Sequence, residues 1–189
     1  MPIRISTVFF LTLLFFFGSW RQNNSGPYYR TSTGKVRFVS DAPLERIEAS
    51  SERLRGALDA GAGNFAWTVA IRSLKGFNSD LQLEHFNENY LESAQFPDAT
   101  FEGRIIEEID YSKDGAYSVR AKGKFSAHGR SRERIIPGRL VIKGNRITIS
   151  AQFYVPLQDH DISIPKIVHQ KIAEEIQVEV LAELLKQPS

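Results

Sequence analysis

The residues of this chain best suited to catalysis or metal binding are its histidines and the carboxylates beside one of them. Asp159, His160 and Asp161 are consecutive. Imidazole next to carboxylates suits a divalent metal ion, and His128 or His169 is available as a third ligand. Such a site would support a metal-assisted hydrolase. Because consecutive side chains of an extended segment point to opposite sides, only the two aspartates share a side, and a solvated loop is the competing interpretation.

Two further strings match catalytic or nucleotide-binding motifs but lack the required context. Residues 61–66, GAGNFA, fit the Gly-x-Gly-x-x-Ala string, yet a predicted strand follows where a helix N-terminus should cradle a phosphate. Residues 32–35 and 163–166 match Ser-x-x-Lys, yet neither opens a predicted helix and the partner motifs are missing. The sequence therefore assigns no catalytic residue, metal or cofactor, and an enzyme is not the expected class.

Composition excludes several classes of function. The chain has 189 residues, of which 42% are hydrophobic, so one domain with a substantial core is expected. The formal net charge is +2 and the basic residues lie among acidic ones, which argues against a nucleic-acid partner. The absence of cysteine excludes disulfides, thiolate metal sites and a lipidated cysteine.

The first twenty residues have the pattern of an export signal. Arg4 supplies the positive start and residues 8–17, VFFLTLLFFF, form an apolar run too short to span a bilayer comfortably. Phe16 and Phe17 fit a cleavage site poorly, so a signal peptide and an uncleaved anchor both stay open. The expected location is periplasmic or secreted. Residues 21–33 are interpreted as a linker and first strand, and residues 34–185 as the folded domain.

Most of that domain reads as β-strands separated by turns. Apolar and polar residues alternate with period two, most clearly over residues 117–128 and 147–155. The predicted strands are 35–40, 44–51, 53–59, 64–72, 100–109, 116–128, 135–143 and 146–155, with a closing strand at 173–184 after a helical turn at 166–171. A one-residue bulge is suspected near Ile105 and Ile106, and it would reverse the faces beyond it.

One segment interrupts the strands. Leu81, Leu83, Phe86, Tyr90 and Leu91 fall on one side of a predicted short helix at spacings of three and four. Residues 78–80 offer an N-cap, and Pro97 prevents the helix from continuing. We expect this helix to cover one end of an all-β body, with Phe86, Tyr90, Leu91 and Phe96 facing the apolar interior.

About eight antiparallel strands with one apolar face each must hide those faces, and a closed barrel also removes the exposed edges. The apolar faces of the predicted strands carry both small and large residues. Gly103, Ala121, Gly123, Ala127 and Ala151 are small, and small residues in mid-strand pack poorly unless something else fills the space. This pattern fits a long apolar cavity and fits equally well interdigitation into a solid core, as in a structural or interaction module, so both interpretations stay open.

Several segments in the correct order resemble the YceI-like family. They are residues 71–74 (IRSL), 85–87 (HFN) with 90–91 (YL), 96–97 (FP) before 100–103 (TFEG), 123–125 (GKF) with 128–129 (HG), and 153–157 (FYVPL) leading to 161–162 and 164–165. The resemblance covers roughly residues 34–184. It implies an extended eight-stranded lipocalin-like barrel that takes a polyisoprenoid or similar lipid tail into its interior.

The resemblance implies that the apolar faces of the predicted strands and of the helix segment line the cavity, which gives a set of candidate lining residues. They are Phe65, Trp67, Val69, Ile71, Phe86, Tyr90, Phe96, Phe101, Ile105, Val119, Ala121, Phe125, Ile147, Ile149, Ala151 and Phe153. The expected partner is an isoprenoid or other long-chain lipid, with transient membrane contact. The sequence leaves the oligomeric state open, a homodimer included, and does not distinguish carriage, storage and sensing.

Overall fold

The computed structural model describes residues 26–188, so the predicted signal segment and most of the linker lie outside the described residues. Eight strands in the described part close into one antiparallel barrel in which each strand pairs with its neighbours in sequence and β1 pairs with β8. The strands are β1 (Tyr28–Asp41), β2 (Arg46–Asp59), β3 (Asn64–Ala70), β4 (Asp98–Ile105), β5 (Gly115–Ala127), β6 (Arg130–Lys143), β7 (Arg146–Pro156) and β8 (Glu175–Lys186). The predicted all-β, eight-stranded, lipocalin-like barrel is confirmed.

Strand bounds differ from the sequence-based expectation where polar residues continue a ladder. The two strands expected at 44–51 and 53–59 are one continuous strand, β2. β1 begins at Tyr28, within the stretch assigned to the linker and first strand, and continues without a break through residues 35–40. β6 begins at Arg130, five residues earlier than the alternation indicated. The bulge suspected near Ile105 is wrong, because β4 pairs with β5 in regular register up to that residue and then ends. The irregularities lie in β1, between Thr31 and Val36.

The one α-helix of the described residues lies in the connection between β3 and β4. A 3₁₀ turn (Ile71–Ser73) follows β3, α1 runs over Asp80–His85, and a π-helical turn (Phe86–Tyr90) continues it. The Ser79 hydroxyl accepts a hydrogen bond from the Gln82 N–H at 3.2 Å, which confirms the N-cap expected in this segment. Among residues 26–188, no helix combines the length and apolar character needed to cross a bilayer.

The connections divide the barrel into two different ends. The β2–β3 and β6–β7 turns, residues 106–114, the start of β1 and the end of β8 lie at one end, which we call the closed end. The β1–β2 loop, the α1 connection, the β5–β6 turn and the β7–β8 connection lie at the other, the open end. The β7–β8 connection carries 3₁₀ turns at Leu157–His160 and Lys166–Val168, the second within the helical turn expected at 166–171.

Side chains fill the closed end. Leu58, Leu140, Ile142, Ile147 and Leu184 are at most 1% exposed there and pack in one cluster. Tyr111, from the loop after β4, packs against the same cluster, and burial raises the pKa of its hydroxyl to about 12. A core this dense leaves no room for a ligand, so any binding site must lie toward the open end.

Candidate functional site

The interior of the barrel between the closed end and α1 is hollow. An inner chamber of about 120 Å³ adjoins the packed cluster, and an outer chamber of about 440 Å³ extends beneath α1. The two chambers share walls formed by Val36, Val69, Ala99, Phe125 and Val178. They therefore form one apolar path from the open end toward the closed end, with Phe125 at the junction.

The lining arises from strand alternation, because every second residue of each strand points inward. In β5 the inward residues Val119, Ala121 and Phe125 line the inner chamber, and the wall spans about 26 Å along the strand from Val119 to Ala127. The small residues Ala121, Ala151 and Gly138 leave the free space, while large aromatic side chains border it. Among the described residues that line this chamber, none is charged.

The structure brings most of the predicted lining residues together. The inner chamber is lined by Phe65, Trp67, Val69, Phe101, Ile105, Val119, Ala121, Phe125, Ile149, Ala151 and Phe153. Ile71, Phe86 and Tyr90 line the outer chamber together with Leu91. That these positions contact a lipid stays a prediction.

Two predicted lining residues lie elsewhere, and the expected lining is corrected at both. Ile147 is fully buried in the packed closed end, because it pairs with Ile142 and Leu184 in the layer that side chains fill completely. Phe96 packs edge-on against the His128 ring, with the ring centroids 5.1 Å apart, and faces neither chamber. Phe96 therefore fixes the β5–β6 turn to the helical connection rather than contacting a ligand.

Two of the small residues also serve a different purpose from the one expected. Gly103 and Gly123 pair directly across β4 and β5 and line neither chamber. A Cβ on Gly103 would lie 2.1 Å from the Lys122 carbonyl oxygen, and one on Gly123 would lie 2.2 Å from the Glu102 carbonyl oxygen. These glycines permit close approach of two strand backbones, not an empty interior.

A third glycine, which the sequence did not single out, shapes the inner chamber. Gly56 lies opposite Trp67 across β2 and β3. A Cβ at Gly56 would lie 2.1 Å from the Trp67 indole, so the indole occupies the space that any other side chain at position 56 would need. The glycine lets Trp67 lie along the wall, where its ring borders the cavity without filling it.

The open end is covered by α1 and an aromatic cluster. Phe86 stacks on Phe38 at 5.4 Å and contacts Phe77 at 4.8 Å. Leu81 and His85 line the outer chamber from α1 and are solvent-exposed, as is Lys171 from the β7–β8 connection. The outer chamber thus opens to solvent between α1 and that connection.

The Asp159–Asp161 segment does not form the metal site considered from the sequence. The His160 Nδ1 pairs with the Arg130 carbonyl oxygen at 3.0 Å, while the Asp161 carboxylate pairs with the Arg130 guanidinium. Within residues 26–188 no three His, Asp or Glu side chains converge as metal ligands. The solvated-loop interpretation is also wrong for one residue, because His160 is 0% exposed and lines the outer chamber.

His160 is the one buried histidine of the described chain, and its surroundings set its charge. Burial lowers the pKa of His160, and hydrogen bonding to the Arg130 and Ala127 backbone only partly offsets this. Its ring meets the Phe125 ring edge-on at 5.2 Å. The Nε2 atom is buried without a hydrogen-bond partner. A neutral imidazole therefore stands in the wall of the outer chamber, next to its junction with the inner one.

This burial predicts a pH-dependent stability. An unfolded histidine takes up a proton near its usual pKa of about 6.5, but folded His160 resists protonation, so the unfolded state binds more protons as pH falls through that range. We expect the urea midpoint of unfolding to fall between pH 7 and pH 5, and His160→Phe to flatten this dependence. His169→Phe, at an exposed position, is the matched control. An unchanged pH profile in His160→Phe would contradict the assignment.

Comparison with known proteins places this geometry in a family. Residues 29–184 match the family model described as the YceI-like domain. No curated protein matches the chain. A solved polyisoprenoid-binding domain from Saccharophagus degradans, implicated in plant cell wall breakdown, superposes with a TM-score of 0.69 at 14% identity, covering 85% of this chain and 98% of that one.

Two further solved structures share the barrel. Burkholderia cenocepacia BcnA superposes with a TM-score of 0.65 at 16% identity, covering 79% of this chain and 95% of that one. The Campylobacter jejuni YCEI protein gives a TM-score of 0.53 at 12% identity, covering 100% of this chain and 92% of that one. The family match extends over nearly the whole barrel, and its fold is the one built above from the strands. The chain therefore belongs to the YceI-like domain family.

Proposed function

We propose that this protein binds one long apolar lipid, of the isoprenoid type, inside its barrel. The observation that carries the proposal is the continuous apolar path formed by the inner and outer chambers. Burial of apolar surface contributes about 25 cal/mol per Å², so a chain lying along this path gains affinity from the hydrophobic effect alone. The narrow inner chamber favours a linear tail over a globular molecule.

The isoprenoid class is supported by the relatives. The Saccharophagus degradans domain, which has the same fold, is described as polyisoprenoid-binding. The present chain shares that fold and has a hollow interior of its own, and binding for carriage, storage or sensing requires no reaction. The Asp159–Asp161 segment offers no converging ligands that would favour hydrolysis. We therefore propose a binding role without catalysis.

The direct test is mass spectrometry of an organic extract of the full-length protein purified from its native host. We expect a stoichiometric prenyl or acyl lipid in the extract, absent from a mock purification of host cells that lack the protein. An isoprenoid would support the specific class, and a straight acyl chain would support lipid binding but overturn the isoprenoid assignment. Repeated recovery of empty protein would overturn the proposal.

The proposed site of action is outside the cytoplasm, in the periplasm or after secretion. The apolar run at residues 8–17 behind Arg4 supports export, and the absence of cysteine leaves folding independent of the redox state of the compartment. The test is fractionation of host cells, with the protein expected in the periplasmic fraction or the medium. Retention in the cytoplasm would overturn this part of the proposal.

We also propose that the open end touches a membrane when lipid is exchanged. The three most exposed large apolar side chains of residues 26–188 belong to three connections at that end; they are Leu44, Leu81 and Ile167, which are 67%, 59% and 91% exposed. The Leu44 N–H donates to the Gln170 carbonyl oxygen at 2.9 Å, which holds the first of these connections beside the third. An apolar rim around a lipid cavity lowers the cost of moving a tail between bilayer and protein.

Replacing the three rim residues together by Ser is expected to reduce co-flotation with neutral phosphatidylcholine vesicles severalfold, because exposed apolar side chains supply the contact. The matched control replaces Ile135, Leu181 and Leu185, which are also exposed but lie on the strands. Equal flotation of the two triple variants would contradict a membrane-facing rim.

A further inference from the structure

Two buried polar atoms, one in the wall of the outer chamber and one on a strand that packs against it, have no partner in the described chain. One is Nε2 of His160, whose ring lines the outer chamber. The other is Nη1 of Arg134, on β6. Leaving a buried polar group unpaired is unfavourable, so an unpaired atom in the chamber wall and a second on the inward face of β6 point to a group on the ligand.

The two atoms lie close to the junction of the chambers. Arg134 is two residues before Ile136, which lines the inner chamber, and it therefore lies on the inward face of β6. It pairs in register with Gly123, two residues from Phe125. Phe125 borders both chambers and contacts the His160 ring. The positive charge of Arg134 also acts on His160, helping to lower its pKa.

The hydrogen-bond chemistry of the two atoms is complementary. The Arg130 carbonyl oxygen can only accept, so Nδ1 of His160 carries the proton that bonds to it at 3.0 Å. In a neutral ring, Nε2 then has a free lone pair and accepts. A guanidinium nitrogen of Arg134 can only donate. The missing group must donate one hydrogen and accept another.

We propose that the lipid held in this barrel carries a hydroxyl-bearing head, whose O–H donates to Nε2 of His160 and whose oxygen accepts from Nη1 of Arg134. This inference rests on the proposed lipid-binding function and adds the chemical class of the head. It also assigns the two residues distinct roles, since His160 recognises the hydrogen of the head and Arg134 recognises its oxygen.

Three C20 probes with the same prenyl tail test the proposal: geranylgeraniol, its methyl ether, and the hydrocarbon in which hydrogen replaces the hydroxyl. The ether keeps the acceptor oxygen but loses the donor. Affinities are read from the emission of Trp67, which borders the inner chamber, in a Trp20→Phe background that leaves it the single tryptophan. We expect the alcohol to bind about tenfold more tightly than the ether.

Two variants separate the roles. His160→Phe is expected to bring the ratio of alcohol to ether affinity close to one. Arg134→Met is expected to weaken alcohol and ether alike relative to the hydrocarbon, because both oxygens lose the same donor, and so to keep the ratio. His169→Phe, on an exposed residue that lines neither chamber, should keep the wild-type ratio.

If a variant does not fold, a measurement on the wild-type protein tests the role of His160 instead. In protein labelled with ¹⁵N-histidine, the Nε2 resonance of His160 should shift with geranylgeraniol and not with the ether. Equal affinities for alcohol and ether, or an unchanged ratio in His160→Phe, would overturn the head-group assignment. Failure of all three probes to bind would instead count against the proposed lipid-binding function.

Discussion

Replacing Ala151 by Trp is expected to weaken binding of a long-chain lipid by about a hundredfold while the barrel still folds. Ala151 lines the inner chamber, where only about 120 Å³ is free. An indole there fills the space that the end of the tail would occupy. Each buried methylene contributes about 0.8 kcal/mol, so excluding four of them costs about 3 kcal/mol, or roughly two orders of magnitude in affinity.

The informative measurement is affinity as a function of tail length. In the wild-type protein affinity should rise with each added isoprene unit until both chambers are filled, whereas in Ala151→Trp it should level off once the outer chamber is full. Gln152→Trp is the matched control, because Gln152 is exposed on the outside of the same strand. If long and short tails respond equally to Ala151→Trp, the inner chamber does not receive the tail.

Two isoleucines of β7, two residues apart, are expected to respond very differently to replacement by Ala. Ile147→Ala removes a side chain from the packed closed end, where Ile147 is 0% exposed, and should cost about 2–5 kcal/mol of unfolding free energy. Ile149 borders the inner chamber and lacks neighbours on that side, so Ile149→Ala should cost less.

Lipid binding should rank the same two variants in the opposite order. Ile149→Ala is expected to change affinity for a long tail, whereas Ile147→Ala should leave it near the wild-type value after correction for the folded fraction. Urea unfolding of lipid-free protein and lipid titration of each variant supply the two measurements. Equal losses of stability at the two positions would mean that the interior is packed throughout.

This pair also shows the extent of what sequence could predict. Alternation along β7 correctly identified the inward face, because strand geometry fixes it locally. It could not distinguish Ile147 from Ile149, since both are inward isoleucines on one strand. Whether the barrel interior is filled at the level of Ile147 or of Ile149 depends on side chains from the seven other strands and from the loop that carries Tyr111. These side chains are far apart in sequence, so no local pattern predicts that they pack together.

The same limit explains the other differences. Gly103 and Gly123 read as space-making residues because a sequence does not show that two backbones approach each other there. The sequence predicts Phe96 to face the interior beside the helix, but the chain turns after the π-helical segment and carries the ring to His128. His160 lies in a polar stretch typical of a surface loop, and only the fold of the β7–β8 connection against β6 buries it.

The positions of the chain ends have a consequence for how the barrel could be tethered. The Gln187 N–H donates to the Tyr28 carbonyl oxygen at 2.7 Å, so residues 28 and 187 lie side by side at the closed end, opposite α1 and the outer chamber. If the export segment proposed above stays uncleaved, it would attach the barrel from the closed end and leave the open end available to a second surface. If that segment is removed, the open end of the free barrel can meet any surface.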